Sequence, residues 1–322
     1  MKITIKKIKK LLFDRNYRWS LLRDLGCFDS MRDDVYLKRM FEIAMGYELN
    51  LDNPQTYNEK LQWLKLHDHN PRYTTMVDKY AVKDYVASII GKEYIIPTLG
   101  VWDKFDDIDF NALPNQFVLK CTHDSGGLVI CKDKNKFDIN SAAKKINKSL
   151  KCNFYYYGRE WPYKNVKSRI IAEKYMEEGS EFGLYEKEMK NSLGNKTKEI
   201  SSLRDYKIYT FNGEAKMCMI NQDRGHHTRA DYFDRDYNWF DFTWGYDHAD
   251  VPPEKPRNYE KMFELAEKLA VGTVELRVDF YEVDGKIYFG ELTFFDGSGF
   301  DKIEPKSYDE MLGSWMRLPN ME

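Results

Sequence analysis

Arg277-Val278-Asp279-Phe280 and Gly290-Glu291-Leu292-Thr293, joined through the turn pair Asp284-Gly285, form the stretch whose reading decides the fold. Residues 273–281 and 286–293 flank that pair as two strand-like runs, the pattern of a β-hairpin. A three-residue loop centred on Gly285, with a bulge there, sets Asp279 opposite Glu291, whereas a strict two-residue turn misses by one. In the first register both carboxylates share a face, because directly opposed side chains on antiparallel strands point the same way. Two acids so placed repel unless protonated or bridged by a cation, and hard oxygen ligands suit Mg²⁺ carrying phosphate. Arg277, two positions from Asp279, lies on that face, where it can meet a phosphate or an oxyanion. The bland alternative is a pair of solvated surface acids.

Outward from this hairpin, residues 206–211 and 215–221 flank Asn212-Gly213, which supplies the positive φ angles of a tight turn. Residues 117–121 and 128–131 flank Gly126-Gly127 and read as a third hairpin, and residues 168–176 as a further strand. Residues 95–101 are extended. Helical periodicity covers residues 57–66, capped by Thr56, and residues 73–90, stopped by Gly91, as well as 139–150 and 259–270. Ser30 is read as the N-cap of a helix running to Gly46. Residues 177–202 are charged, glycine-punctuated and loop-like, and residues 221–250 lack a regular period. Hairpins alternating with helices, without repeats, predict an α+β fold and not a doubly wound parallel sheet.

The chain has 322 residues, enough for about two units at roughly 150 residues each. Its 50 Lys and Arg against 52 Asp and Glu leave a net charge of −2, with no global electrostatic pull toward nucleic acid. Its apolar runs fall well short of the roughly 20 residues that span a bilayer, and a soluble, cytoplasmic protein is expected. The five cysteines, an odd number without a close CxxC pair, read as reduced thiols with no metal or nucleophile role. Residues 1–23 are basic and amphipathic. A docked helix is the favoured reading, and the pattern is also compatible with peripheral contact at the inner membrane face.

In Phe117-Val118-Leu119-Lys120-Cys121-Thr122-His123-Asp124-Ser125-Gly126-Gly127 a lysine closes an apolar strand just before a loop of small residues. Such a lysine is a point charge at the sheet, and amides freed by Gly126 and Gly127 can approach phosphate oxygens; alone, the loop reads as a simple turn. Lys79 and Lys83 read alone as solvated helix lysines. The order of the pieces says more. Asp78-Lys79-Tyr80, the lysine and glycine loop, Ala172-Glu173-Lys174-Tyr175-Met176, Asp205-Tyr206-Lys207-Ile208, Arg277-x-Asp279 and Glu291-x-Thr293 together resemble the ATP-grasp superfamily. With Asn53-Pro54-Gln55-Thr56-Tyr57-Asn58-Glu59-Lys60-Leu61-Gln62-Trp63, the sequence over residues 40–318 resembles the TupA-like branch, linked to teichuronopeptide and other bacterial surface polysaccharides.

The resemblance implies two α+β subdomains clasping a nucleotide: an N-terminal helical region 1–70, a small subdomain 71–175 and a large subdomain 176–322. It implies that Lys79 and Lys120 contact phosphates beneath a loop containing Ser125, Gly126 and Gly127. Glu173, Lys174 and Tyr175 would form the adenine hinge, Asp205 would take the ribose hydroxyls, and Asp279 and Glu291 would hold Mg²⁺. Arg277, with Lys120 and Arg224, would face the reacting groups. Thr293 stands where many members carry asparagine, with Asp296 near it, and Asp205 stands where glutamate is common. On the acceptor side, residues 222–229 collect Arg224, Arg229, His226 and His227, and Trp239, Trp244, Tyr232, Tyr237 and Tyr246 are candidates for stacking on sugars or for packing. The implied activity is ATP-dependent joining of a small-molecule or glycan carboxylate to an amine. A sugar-modifying transferase or kinase and a silent nucleotide-binding scaffold are the alternatives.

Overall fold

A computed structural model of the chain describes residues 13–177, 204–222 and 228–319. The beginning of the basic N-terminal segment, nearly all of the loop-like stretch 177–202, and Arg224, His226 and His227 lie outside the described residues. The helices are α1 (Arg15–Asp24), α2 (Asp33–Met45), α3 (Tyr57–His67), α4 (Arg72–Val77), α5 (Ala81–Ile90), α6 (Ile139–Ser149), α7 (Tyr155–Gly158), α8 (Tyr259–Leu269) and α9 (Lys306–Trp315). The fold is α+β, as expected, and the paired strands of the described residues run antiparallel.

Strands β1 (Thr98–Trp102), β2 (Phe117–Cys121), β3 (Leu128–Cys131) and β4 (Ile170–Lys174) form a sheet in the order β1-β4-β2-β3. Alternation assigns its faces. Phe117, Leu119, Cys121, Ile170 and Ala172 pack with Ala142 and Ile146 of α6. Lys120 and Glu173 therefore stand on the opposite face. A second sheet, ordered β11-β10-β5-β6-β7-β8, contains β5 (Asp205–Phe211), β6 (Glu214–Gln222), β7 (Arg229–Asp234), β8 (Trp239–Phe240), β10 (Glu275–Val283) and β11 (Lys286–Thr293). The short β9 (Thr243–Trp244) and β12 (Ile303–Glu304) pair separately. Ile208, Leu276, Val278 and Phe280 share a core with Met262, Phe263 and Ala266 of α8. Residues of α3, α4 and α5, among them Tyr57, Leu61, Met76 and Val86, belong to that same large core.

The register of the decisive hairpin is the expected one, and its cause is different. Val283 pairs directly with Lys286, and Asp284 and Gly285, with φ of 51° and 72°, make a strict two-residue turn. The compensating residue is Gly290. Asp279 faces Glu291 while Phe280 faces Phe289, so Gly290 is the extra residue of a bulge inside β11.

Two other expectations are corrected, and a stretch read as lacking a period proves to contain strands. The helix read over residues 73–90 is two helices, because Asp78 is extended and its carboxylate accepts from the amides of Tyr80 (2.9 Å) and Ala81 (3.2 Å), a local bond that competes with helix continuation. Arg32, not Ser30, precedes α2, whose far end is closed by Gly46 at φ 85°. Within residues 221–250, β7 has Ala230–Phe233 buried on both faces, so it shows no period of two. The Thr56 cap is found, reinforced by Glu59 in a reciprocal capping box.

A Cβ at Gly290 would lie 3.1 Å from both the Asp279 carbonyl oxygen and a Tyr281 ring carbon, whereas at Gly285 nothing lies within 4 Å. Gly290→Ala is expected to destabilise by about 1–3 kcal/mol through overpacking at the bulge. Gly285→Ala is expected to cost about 1–2 kcal/mol, from left-handed backbone alone. Denaturant midpoints check both, and a Gly290→Ala protein as stable as wild type would contradict the bulge.

Candidate functional site

The site grows from the face of the six-stranded sheet opposite α8. Cross-strand pairing puts Asp279 beside Lys207 of β5 on one side and Glu291 of β11 on the other, with Arg277 beside Tyr209 and Thr293. The Arg277 side chain is nearly buried. Its Nε donates to Asp279 Oδ1 at 2.6 Å and its Nη2 to Asp279 Oδ2 at 2.8 Å. The same Nη2 donates to Glu291 Oε1 at 3.0 Å, and Nη1 to Asp296 Oδ1 at 2.6 Å. Asp279 and Asp296 hold this guanidinium's pKa well above its ordinary value although burial opposes them. Lys207 bonds to Asp279 and, at 2.7 Å, to Asp205, and these acids raise its pKa against the effects of burial and of Arg277.

The four-stranded sheet supplies the second half. Lys120 reaches Glu173 at 2.5 Å, and Lys83 ion-pairs with the same carboxylate while donating to the Ile96 carbonyl at 2.7 Å. Lys83 is thus buried, not solvated as its sequence context suggests. Burial pushes Glu173 up, and Lys120 and Lys83 more than offset this, leaving its carboxyl below the ordinary value. Lys79 sits at the break between α4 and α5. Its amide donates to the Thr122 carbonyl at 3.0 Å, and its ammonium lies 3.5 Å from Glu291 Oε2. Burial would raise Glu291, yet Lys79, Arg277 and Lys207 bring it down to about 2, with Lys120 contributing. Cations from both sheets therefore act on one carboxylate.

The glycine loop divides into two parts. Ser125 and Gly126 are exposed at its tip, whereas Gly127 is buried, its amide donating to Asp124 Oδ1 at 3.0 Å. A Cβ on Gly127 would come 2.5 Å from Cys121 Sγ and 2.6 Å from Ser149 Oγ. Gly127 is therefore a packing glycine, and its amide is already engaged. At the end of β4 the Lys174 amide donates to Pro97 O at 3.0 Å, so the backbone first leaves the ladder at Tyr175. Asp205 is buried on the same face as Lys207, Arg277 and Asp279.

The structure thus joins Lys79, Asp205, Arg277, Asp279 and Glu291 in one ion-pair network, while Lys120 and Glu173 form a second group with Lys83, from which Lys120 acts on Glu291 at longer range. Sequence reasoning missed Lys207, whose alternation with Asp205 is a usable signal. It also missed the role of Asp296, which binds Arg277 and the Tyr209 hydroxyl. Trp244 and Tyr232 are packing aromatics, both buried in the large core, and Trp239 and Tyr246 are exposed. Cys121, Cys131 and Cys218 are buried, and burial pushes the Cys121 thiol up to about 12, which suits an inert side chain.

Asp279 and Glu291 also fit a divalent cation. One Arg277 nitrogen lies within 3.0 Å of an oxygen from each, so the two carboxylates converge on a point that already holds positive charge. Among the described residues no group of three or more acid, His or Cys side chains could enclose a metal. An ion here would complete its shell with phosphate or water, as Mg²⁺ usually does. No described helix is long and apolar enough to cross a membrane.

Among curated proteins none matches the sequence. Solved structures similar to the chain include the D-alanine–D-alanine ligase from Bacillus anthracis complexed with ATP, at 16% identity and a TM-score of 0.38, covering 68% of this chain and 55% of that one. The D-alanine–D-alanine ligase from Helicobacter pylori is 11% identical, with a TM-score of 0.43 and coverage of 83% and 68%. The ATP-grasp ligase PsnB, complexed with minimal precursor, Mg and ADP, is 9% identical, with a TM-score of 0.35 and coverage of 75% and 60%. The chain spans little more than half the length of the first of these. The family model described as TupA-like ATPgrasp matches residues 59–317, far more than half of the sequence, and the chain belongs to that family.

Proposed function

We propose that the protein is an ATP-dependent carboxylate–amine ligase. ATP phosphorylates a carboxylate to an acylphosphate with loss of ADP, and an amine displaces phosphate to leave an amide and a proton. The observation that carries this reading is Lys79 meeting Glu291 between the two sheets, which unites the family's phosphate-side lysines with the carboxylate and arginine face. The uronic-acid-bearing surface polysaccharide or its precursor, joined to an amino acid or other amine in the cytoplasm, is the substrate pair that the family's context supports.

Each residue then has a task. Lys79 and Lys120 neutralise phosphate oxygens, with Glu173 keeping Lys120 on the open face of its sheet. Asp205 takes the ribose hydroxyls, and the hinge at residues 173–175 borders the base, with Tyr175 the first of the three whose backbone is off the ladder. Arg277 faces the transferring phosphoryl group and the later oxyanion, where charge develops. Asp279 and Glu291 would hold Mg²⁺, which neutralises and orients the phosphates when bound. The charge balance supports such an ion. Lys79, Lys83, Lys120, Lys207 and Arg277 are already matched by Glu173, Asp205, Asp279, Glu291 and Asp296. An added triphosphate would be uncompensated without accompanying cations.

ATP with Mg²⁺ is expected to raise the melting temperature, since a ligand that binds only the folded state stabilises it by mass action. Lys120→Ala should lose most of that shift. An unchanged melting temperature with ATP, ADP and a non-hydrolysable analogue, with and without Mg²⁺, would refute nucleotide binding.

For the chemistry, ADP and phosphate release should require both a uronate and an amine, whereas phosphate retained on the sugar would indicate a kinase. Asp279→Asn and Glu291→Gln should each lower turnover by at least ~100-fold while the protein stays folded, comparable to losing a principal electrostatic contact. The double variant should be scarcely worse than either single one, because the two act as a unit. Near-normal turnover in the single variants would make these acids ordinary.

A further inference from the structure

Helix α3 carries Asn58, Gln62 and Lys65 at spacings of four and three, hence on one face, and all three are buried. Each donates to a backbone carbonyl of the segment that follows β11. Asn58 Nδ2 reaches Asp301 O at 3.1 Å. Gln62 Nε2 reaches Gly299 O at 2.8 Å and Ser298 O at 3.2 Å. Lys65 Nζ reaches Ser298 O at 2.7 Å, Ser298 Oγ at 3.1 Å and Gln62 Oε1 at 3.0 Å.

The held segment needs such restraint. Gly297, Ser298 and Gly299 have φ of 55°, 56° and 62°, three left-handed residues in succession with a non-glycine at the centre. Strained backbone of this kind persists only where surrounding contacts over-determine it. The packing leaves no slack, since a Cβ on Gly299 would stand 2.4 Å from Gln62 Nε2. Lys65 also sits over the Phe300 ring, 4.5 Å from its centroid. Burial draws this ammonium down to about 7, with the buried Glu160 opposing that shift.

Asp296 opens this segment. Its Oδ1 accepts from Arg277 Nη1 at 2.6 Å and from the Gly297 amide at 2.9 Å, and its other oxygen accepts from the Tyr209 hydroxyl. We infer that Asn58, Gln62 and Lys65 are positioning residues that clamp the 296–301 loop and, through Asp296, aim the Arg277 guanidinium. The inference rests on the ligase reading, in which Asp279 and Glu291 turn to the metal and Asp296 is the remaining carboxylate partner of Arg277. It gives α3 a task in the reaction without contact to ATP, carboxylate or amine.

The test compares wild type with Gln62→Leu and Lys65→Met. Amide hydrogen exchange should accelerate at least about tenfold across residues 294–301 while α8 and β5 stay protected, the signature of local and not global opening. With a working acceptor, kcat should fall about 10–100-fold, as expected when a reacting group is misplaced. KM for ATP should stay within about threefold, because Lys79, Lys120 and Asp205, which carry ground-state nucleotide binding in this reading, are untouched. Gln62→Leu combined with Asp296→Asn should lose no more than Asp296→Asn alone. Unchanged exchange in the loop overturns the clamp, and faster exchange with wild-type kcat, or additive losses in the double variant, overturns its role in aiming Arg277. If Lys65→Met does not fold, Gln62→Leu alone decides. A wild-type protein without ATP turnover across uronate and amine acceptors sinks the ligase reading, and the exchange measurement still decides the clamp.

Discussion

A buried guanidinium demands carboxylates, and the compensation of Arg277 organises this protein. Its donors are distributed over Asp279 on its own strand, Glu291 on the next and Asp296 beyond the end of that strand. An ion taken out of water without partners costs several kcal/mol even after relaxation. The hairpin register, the Gly290 bulge that sets it and the left-handed loop after β11 therefore serve one requirement. Change any of them and a charged group in the sheet loses its partner.

The same network links the two sheets. Lys79 is released from a helical position by the extended Asp78, whose carboxylate also binds Arg169 at 2.7 Å. Its backbone is tied to Thr122 at the base of the glycine loop, while its ammonium reaches Glu291 on the other sheet. The pairs on both sides are closely balanced in charge, so the site can be folded and largely compensated before a nucleotide arrives. Preorganised charge of this sort costs little rearrangement during reaction. In the proposed reaction only side-chain partners change, Asp279 and Glu291 turning to a metal ion and Lys79 and Lys120 to phosphate, while the strands that carry the sheet residues stay in place.

Much of this was legible in the sequence where the signal is local. Asn212-Gly213 and Asp284-Gly285 mark turns, and Asp279 and Glu291 share a face once one extra residue is placed in the hairpin. The misreadings have physical causes. A bulge and a longer loop shift register equally, and only coordinates separate Gly290 from Gly285 as the source. Asp78 ends α4 through a bond from its own side chain, which leaves the apolar period intact and hides the break that frees Lys79. Lys83 looks like a solvated helix lysine because its partner Glu173 is distant in sequence. The contacts of Gln62 and Lys65 with Ser298 join residues more than 200 positions apart, and no local pattern announces them. Arg224 lies outside the described residues, so its place on the acceptor side is carried by the family resemblance.

The central claim is that Asp279 and Glu291 exchange their arginine and lysine partners for a divalent cation carrying phosphate, while Arg277 stays fixed on Asp296. A crystal structure with Mn²⁺ and a non-hydrolysable ATP analogue, its anomalous signal locating the metal, measures this most directly. The account predicts a peak at metal–ligand distance, about 2.0–2.3 Å, from one oxygen of Asp279 and one of Glu291, bridged to the phosphates. Anomalous density elsewhere on the phosphates, with Arg277 still gripping Asp279 through both nitrogens, would contradict it.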